Sequence, residues 1–461
     1  MTLLLAGCET FHSQPVSSSA MALNFERRTL DDPDLRRFLE KNLATNFTKW
    51  PLPSWDFPML NWVSFYYHPD LDVARAQWAV SGGGVAVAKM RPNPTVSFAP
   101  EYTFSAAKAV SPWVVPVNFD QPIETAGKRR YRTARANYLA EAARLNVSTV
   151  ASQARKNLRD ALIDLAAAKK TEVVLEKQKA SQTNVVAVLE QELSAGAIAA
   201  FEISTARLAL HRIQLDLGAA QSLSAEARSR VAEALGLPLA TIANVNFSLQ
   251  PMSAPDDLMS PEVRRQALQS RSDLLGALAE YAASQSALQL ETAKQYPDLH
   301  LGTGYQYDQG DNKWTLLSFS LELPLLNRNE GGIAEAKAQR DEAAAKFIAL
   351  QAKVISEIDR ALAVYQLSLA QSKTSEALWA TQAKRQQSIT AQFKAGAIER
   401  LDLLTAEVEL GATELFQSET QAKAERASSD LEFAVQRPLD LSPAALAANE
   451  KNPRAGKGSR P

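Results

Sequence analysis

Four short segments of this chain alternate apolar and polar side chains with a period of two. In 95–104, Val96, Phe98, Tyr102 and Phe104 share one face, and Thr95, Ser97, Ala99, Glu101 and Thr103 the other. In 114–121, Val115, Val117 and Phe119 oppose Val114, Pro116, Asn118 and Asp120. In 298–308, Leu299, Leu301, Tyr305 and Tyr307 oppose Asp298, His300, Gly302, Gly304 and Gln306. In 315–323, Leu317, Phe319, Leu321 and Leu323 oppose Ser318, Ser320 and Glu322. A period of two with one apolar face predicts half-buried strands. Each run is about ten residues with aromatics near its ends, the length a tilted strand needs to cross a bilayer. A soluble antiparallel sheet on a core gives the same alternation, so the strands alone leave both readings open. If they span a membrane, four cannot close a barrel, since bacterial barrels start at about eight strands. An open edge in lipid leaves backbone groups unpaired at several kcal/mol each. Several chains must then pool strands: two copies would give eight and three would give twelve.

The rest of the pattern is helical and is written twice. Helical segments at about 70–90 and 262–293 each end at a proline, and two strands follow. Then come tracts of Ala, Gln, Leu and Glu at 126–194 and 331–394, with no proline to break them. At 1.5 Å per residue each would reach roughly 100 Å. Ala-Gly-Ala-Ile interrupts both, at 195–198 and 395–398, and shorter helices follow at about 201–235 and 399–434. The echo runs further. Asp70-Leu71, Ala74, Ala76, Ala79 and Ser81 match Asp273-Leu274, Ala277, Ala279, Ala282 and Ser284; Trp113 matches Trp314, and Pro122 matches Pro324. Alanine-rich helices align on composition alone, but the ordered Pro, Trp and Gly landmarks favour a duplicated half-protein. The resulting organisation has six parts. They are a signal-peptide remnant at 1–8, an N-terminal arm at 9–68, a first repeat at 69–236, a linker at 237–261, a second repeat at 262–436 and a flexible tail at 437–461. Strands are predicted at about 94–104 and 113–122 in the first repeat, and at about 297–307 and 314–324 in the second.

Charge and composition then narrow the function. The chain has 461 residues, with 50 basic against 51 acidic, which argues against a bulk nucleic-acid binder. Cys8 is the only cysteine, so no intrachain disulfide or cysteine metal site is possible. His12, His68, His211 and His300 show no ligand spacing, and no metal site is expected. No apolar run reaches the ~18 residues of a transmembrane helix. The opening MTLLLAGC reads as the tail of a signal peptide, because Leu5-Ala6-Gly7-Cys8 resembles a bacterial lipobox. Cys8 would then carry a covalent lipid, the only attached group expected, and Glu9 after it is compatible with the outer membrane. The charged segment that opens such a signal is missing, which implies a start upstream of Met1. Together with the missing apolar helices, the lipobox favours the membrane reading of the strands. SGGGVAVAK at 81–89 lacks the Gly-Lys-Ser/Thr ending of a phosphate-binding loop and reads as a loosely packed helix. Lys128-Arg129-Arg130 could touch lipopolysaccharide or phospholipid headgroups, or be a plain solvated helix start. Trp50, Trp55 and Trp62 read as packing anchors of the arm. No catalytic constellation is present, and an enzyme is not expected.

On these features the sequence resembles the TolC family of bacterial outer-membrane factors, over roughly residues 56–437. The strongest matches are LSAGAIAAFEISTARLAL and FKAGAIERLDLLTAEVEL, which look like the family's helical hairpin tips. DQPIETAGKRRYRTARA at 120–136 looks like the strand-to-helix passage of the cobalt–zinc–cadmium efflux branch. The resemblance implies a mostly α fold with a small β part. Long hairpins would form a periplasmic α-barrel, and four strands per chain a twelve-stranded transmembrane β-barrel in a homotrimer. It implies a passive exit duct, lodged in outer-membrane lipid, for small solutes or metal ions. A periplasmic adaptor protein and an inner-membrane pump would be its partners. The tips Ala195, Gly196, Ala197 and Ile198, and Ala395, Gly396, Ala397 and Ile398, would meet the adaptor, with the glycines taking positive φ. Asp402 stands at the family's constriction acid, with Glu202 as its first-half partner and Glu399 beside it. Phe393 and Ile398 replace a gate tyrosine and arginine, and Thr405 stands where a second gate acid can occur, so that bonding network cannot form here. Asp402 is equally readable as a solvated acid favoured by the helix dipole. Other readings of the chain are a type I protein-secretion duct, and a lipid-anchored periplasmic helical scaffold without a pore.

Overall fold

The computed structural model describes residues 11–106, 110–248 and 261–436. Cys8, residues 249–260 of the expected linker and the tail from 437 lie outside them. The described elements run α1 (Ser18–Glu26), α2 (Pro33–Leu43), β1 (Trp55–Asp56), α3 (Phe57–Tyr67), α4 (Pro69–Lys89), β2 (Thr95–Phe98), β3 (Glu101–Tyr102) and β4 (Trp113–Ile123). They continue with α5 (Lys128–Ser194), α6 (Ala200–Leu235), α7 (Leu239–Ile242), β5 (Phe247–Ser248), α8 (Pro261–Ser270) and α9 (Ser272–Ala293). β6 (Leu299–Asp308), β7 (Asp311–Leu321), α10 (Glu330–Lys394) and α11 (Arg400–Val435) complete the chain.

α5 has 67 residues and α10 has 65, so each spans about 100 Å. Both hold because no proline interrupts them and small alanines let neighbouring helices approach. α4 runs unbroken through Gly82, Gly83 and Gly84, none of which has a neighbour within 4 Å of a would-be Cβ.

Two apolar cores sit in corresponding places of the two halves. The first joins Leu35 and Leu39 of α2, Trp62 and Phe65 of α3, Leu71 of α4, Leu158 and Leu162 of α5, and Val231 and Leu235 of α6. The second joins Val263 of α8, Leu274 of α9, Val354 and Ile358 of α10, and Leu431 and Val435 of α11. Trp55 and Trp62 are buried in the first core and Trp50 packs against it. The arm is tied down by Arg28, whose Nη1 donates to the carbonyls of Tyr67 at 2.9 Å and Gly236 at 2.8 Å.

Two details differ from the pattern read in the sequence. The helix expected over 262–293 is broken at Arg271, whose backbone is extended. Its guanidinium holds Asp273 and the Ala434 carbonyl, while Ser272 N–H donates to Gln436 Oε1 at 2.9 Å. α8 therefore precedes α9 as α3 precedes α4. The strand expected over 95–104 is interrupted between Phe98 and Glu101. Its register against β4 is unbroken, from Thr95 opposite Asp120 to Tyr102 opposite Trp113. That register brings Ala99 opposite Pro116 and Pro100 opposite Val115. Two prolines without N–H groups leave the ladder unbonded there.

Candidate functional site

The sheet is ordered β2–β4–β6–β7, all antiparallel, with β3 continuing β2 along β4. Its directly opposed pairs define two faces. On one, Val96 meets Phe119, Phe98 meets Val117, Val117 meets Tyr305, and Ile123 meets Leu299. On the other, Thr95 meets Asp120, Ser97 meets Asn118, Pro122 meets His300, and His300 meets Ser320. His300 Nδ1 lies 2.8 Å from Asp120 Oδ2 on this polar face.

A β-bulge keeps the apolar face continuous along β7. Gly302 pairs with Ser318 but Gly304 pairs with Thr315, so Leu316 and Leu317 together face Thr303. The extra residue inverts the alternation beyond it. Phe319 lies opposite Leu301 and Trp314 opposite Tyr305, on the same face. Read without the bulge, 314 falls on the polar side. At the end of the sheet away from the helices, Tyr102 contacts Trp113 with ring centroids 5.0 Å apart, and Tyr305 contacts Trp314 at 4.9 Å. Among the described residues no apolar element covers this face: Val96, Phe98, Trp314, Leu317 and Phe319 are all exposed. No helix among the described residues is long and apolar enough to cross a membrane.

The helices join the sheet at one level. Arg132 of α5 forks onto Glu124 and donates to the Ala88 and Met90 carbonyls that end α4. Thr125 and Lys128 both bind Asp298 Oδ1, at 2.9 and 2.8 Å. Asn329 Nδ2 donates to the Glu291 carbonyl of α9 at 2.9 Å.

The two helical tips at the opposite pole are near copies. Gly196 and Gly396 have φ of +73° and +72°. Gly196 N–H donates to the Leu193 carbonyl and Ala197 N–H to that of Glu192, both at 2.9 Å; Gly396 and Ala397 repeat this onto Phe393 and Gln392. The pair of bonds satisfies the last carbonyls of the long helix. After the turn, Ala199 N–H donates to Glu202 Oε1 and Glu399 N–H to Asp402 Oδ2, both at 3.3 Å. Glu202 and Asp402 thus bond the backbone at the starts of α6 and α11 while staying exposed, as does Glu399. Ala195, Ala197, Ala395 and Ala397 are exposed; Ile198 and Ile398 are half-buried. Ile198 and Leu401 pack on a small core of Val185, Val186, Leu189, Ile203 and Leu404, so the first tip is braced by the start of α11. Phe393 is half-buried and Thr405 exposed.

Midway, α5 and α11 share a buried charge cluster that sequence reading does not isolate. Arg155 Nε and Nη2 reach Glu432 Oε1 at 3.0 and 2.8 Å, Arg159 binds Glu432 Oε2, and both guanidiniums lie over the Phe57 ring. In isolation these residues are ordinary members of polar helices, and their partners are more than 270 positions away. Among the described residues no group of three or more His, Cys, Asp or Glu side chains could hold a metal ion.

A sheet with one apolar and one polar face, set on hairpins of such length, defines an outer-membrane channel architecture. The chain belongs to the outer membrane efflux protein family, whose sequence profile matches twice, at residues 67–237 and 263–435. It is 22% identical to the cobalt-zinc-cadmium resistance protein CzcC of Cupriavidus metallidurans, over 73% of this chain and 79% of that one. Its fold is that of the outer membrane protein VceC of Vibrio cholerae, with a TM-score of 0.68 at 19% identity, covering 82% of this chain and 95% of VceC. The CmeC outer membrane channel of Campylobacter jejuni matches with a TM-score of 0.68 at 15% identity, covering 92% and 90%.

Proposed function

We propose that three copies of this chain form the outer-membrane exit duct of a tripartite exporter, anchored by a lipid on Cys8. The observation that carries this reading is the sheet. Its apolar face suits lipid and its polar face suits water, yet its two edges, β2 with β3 and β7, have no partner strand among the described residues. Such edges in a bilayer need partners, and identical copies supply them. Exposed apolar stripes on the helices support the same assembly. Val73, Val80 and Val87 of α4, and Phe201, Leu208 and Leu215 of α6, recur every seven residues and remain uncovered. That is the spacing of a coiled-coil seam.

Transport is passive, with energy from an inner-membrane pump engaged through a periplasmic adaptor. The adaptor docks on the tips at 195–198 and 395–398. Asp402, with Glu202 and Glu399, forms an acidic constriction that opens when the tips splay. Divalent metal ions are the first cargo class, supported by the relative CzcC and by the strand-to-helix passage at 120–136.

The test is reconstitution of the purified full chain in planar bilayers. We expect discrete conductance steps and an SDS-resistant trimer that heating converts to monomer. Asp402→Ala is expected to raise the resting conductance; an unchanged conductance removes Asp402 from the gate. A monomeric protein that leaves bilayers sealed overturns the duct and favours a lipid-anchored scaffold.

A further inference from the structure

We propose that the rim where sheet meets helices binds anionic phospholipid headgroups of the leaflet on the helix side. The inference rests on the membrane-spanning reading of the sheet. It adds a lipid chemistry to one specific surface.

The rim combines exposed apolar and exposed cationic side chains. Met90 is 62% exposed, Leu325 74% and Leu326 102%, with Leu323 beside them at 64%. Arg91 follows Met90, and Arg328 follows Leu325-Leu326-Asn327. Lys89, Arg129 and Arg130 are exposed at the same level, because Arg132 binds the Ala88 and Met90 carbonyls and so fixes the end of α4 beside the start of α5. The inner cations of the rim are already committed: Lys128 pairs with Asp298, and Arg132 with Glu124. Lys89, Arg91, Arg129, Arg130 and Arg328 form no ion pair among the described residues. The exposed acid Glu322 follows the last residue of β7 and continues the alternation of Ser318 and Ser320 in the sequence. On the helix side of the rim, Glu330 is an exposed acid in the first turn of α10.

The opposite end of the sheet has the reverse character. Its described charges are Glu101, Asp308 and Asp311 against Lys313, and Lys313 pairs with Asp308. Aromatic rings, not aliphatic side chains, crowd that end. The sheet is thus electrically asymmetric along the membrane normal, with the positive end where the helices leave. Long cationic side chains next to apolar ones keep their stems in hydrocarbon and their heads at the interface. A Lys or Arg there is attracted to an anionic membrane surface. The helices project into the periplasm, so the leaflet at this rim is the phospholipid one. Lipopolysaccharide phosphates share the chemistry but lie at the other end.

Native mass spectrometry of the detergent-purified full chain would decide this, with phosphatidylglycerol, phosphatidylcholine or lipopolysaccharide added separately. We expect phosphatidylglycerol to be retained over phosphatidylcholine. The preference should fall at least about tenfold in Arg129→Gln/Arg130→Gln/Arg328→Gln. It should survive in Arg129→Lys/Arg130→Lys/Arg328→Lys, which keeps the charge. Equal retention of the two phospholipids by the wild type, or an unaltered preference in the glutamine variant, overturns the proposal. So does lipopolysaccharide that is held through these same arginines in preference to phosphatidylglycerol. Bilayer conductance of the wild type reads the duct separately: normal conductance in a wild type that retains the two phospholipids equally sinks this inference and leaves the duct standing.

Discussion

Gly236 and Gly396 take nearly the same backbone conformation for different reasons. Gly236 ends α6 at φ +69°, and a Cβ there would lie 2.5 Å from the Tyr67 carbonyl oxygen. Gly396 sits at φ +72° with nothing within 4 Å. Gly396→Ala meets only the left-handed penalty of about 1 kcal/mol. Gly236→Ala adds a backbone clash with the segment joining α3 to α4 and should cost about 2 kcal/mol or more. Thermal unfolding followed by circular dichroism should rank wild type above Gly396→Ala, and Gly396→Ala above Gly236→Ala. A second residue carries a pH dependence. Burial raises the Glu425 carboxyl above its ordinary range, against the opposing pull of Gln421, Arg159 and Lys170. The folded chain therefore holds this proton more tightly than the unfolded chain. Its contribution to stability falls as pH rises from the ordinary carboxylate range through the raised value, and stays low above it. Glu425→Gln removes that loss. The variant's melting temperature should gain on wild type between pH 4 and pH 8, and an equal difference at both ends would refute the assignment.

Among the elements, the long helices and their turns were the most legible. Unbroken alanine-rich tracts and a repeated Gly-containing phrase specify where a helix continues and where it reverses, and both signals are local. The two faces of the sheet were legible for the same reason, since alternation is written in neighbouring residues. What escaped depends on partners far along the chain. The bulge at Thr303 shows only when β6 is laid against β7. The gap at Ala99-Pro100 needs Pro116 of β4 to explain it. The break at Arg271 comes from contacts with Asp273, Ala434 and Gln436, where the first half instead places Pro69. Glu432 could not be paired with Arg155 and Arg159 from sequence, because nothing local marks a carboxylate that two buried guanidiniums share. Removing one member of such a cluster leaves charge buried without a partner, which is far more damaging than losing a surface pair. At the tips, Glu202 and Asp402 were legible as acids near helix starts. Their bonds to the backbone N–H of Ala199 and Glu399 add a positioning role that spacing alone does not specify.

At the scale of the molecule, the exposed stripes carry the assembly prediction. Leu208 and Leu215 of α6 are 70% and 76% exposed, on a helix whose other face is packed. Leu208→Asn with Leu215→Asn removes apolar area that only another copy would cover. The double variant should therefore retain its helix content while losing the SDS-resistant trimer. A trimer as stable as wild type would place the seam elsewhere. The sheet sets the symmetry of any such ring. β2 belongs to the first half of the chain and β7 to the second, and they run in opposite directions. Copies set side by side must therefore abut unlike halves at every junction. Each contributes an up-and-down pair from one ancestral unit and then an up-and-down pair from the other. The wall alternates between two related hairpins all the way round, so its true repeat is twice as coarse as its apparent one.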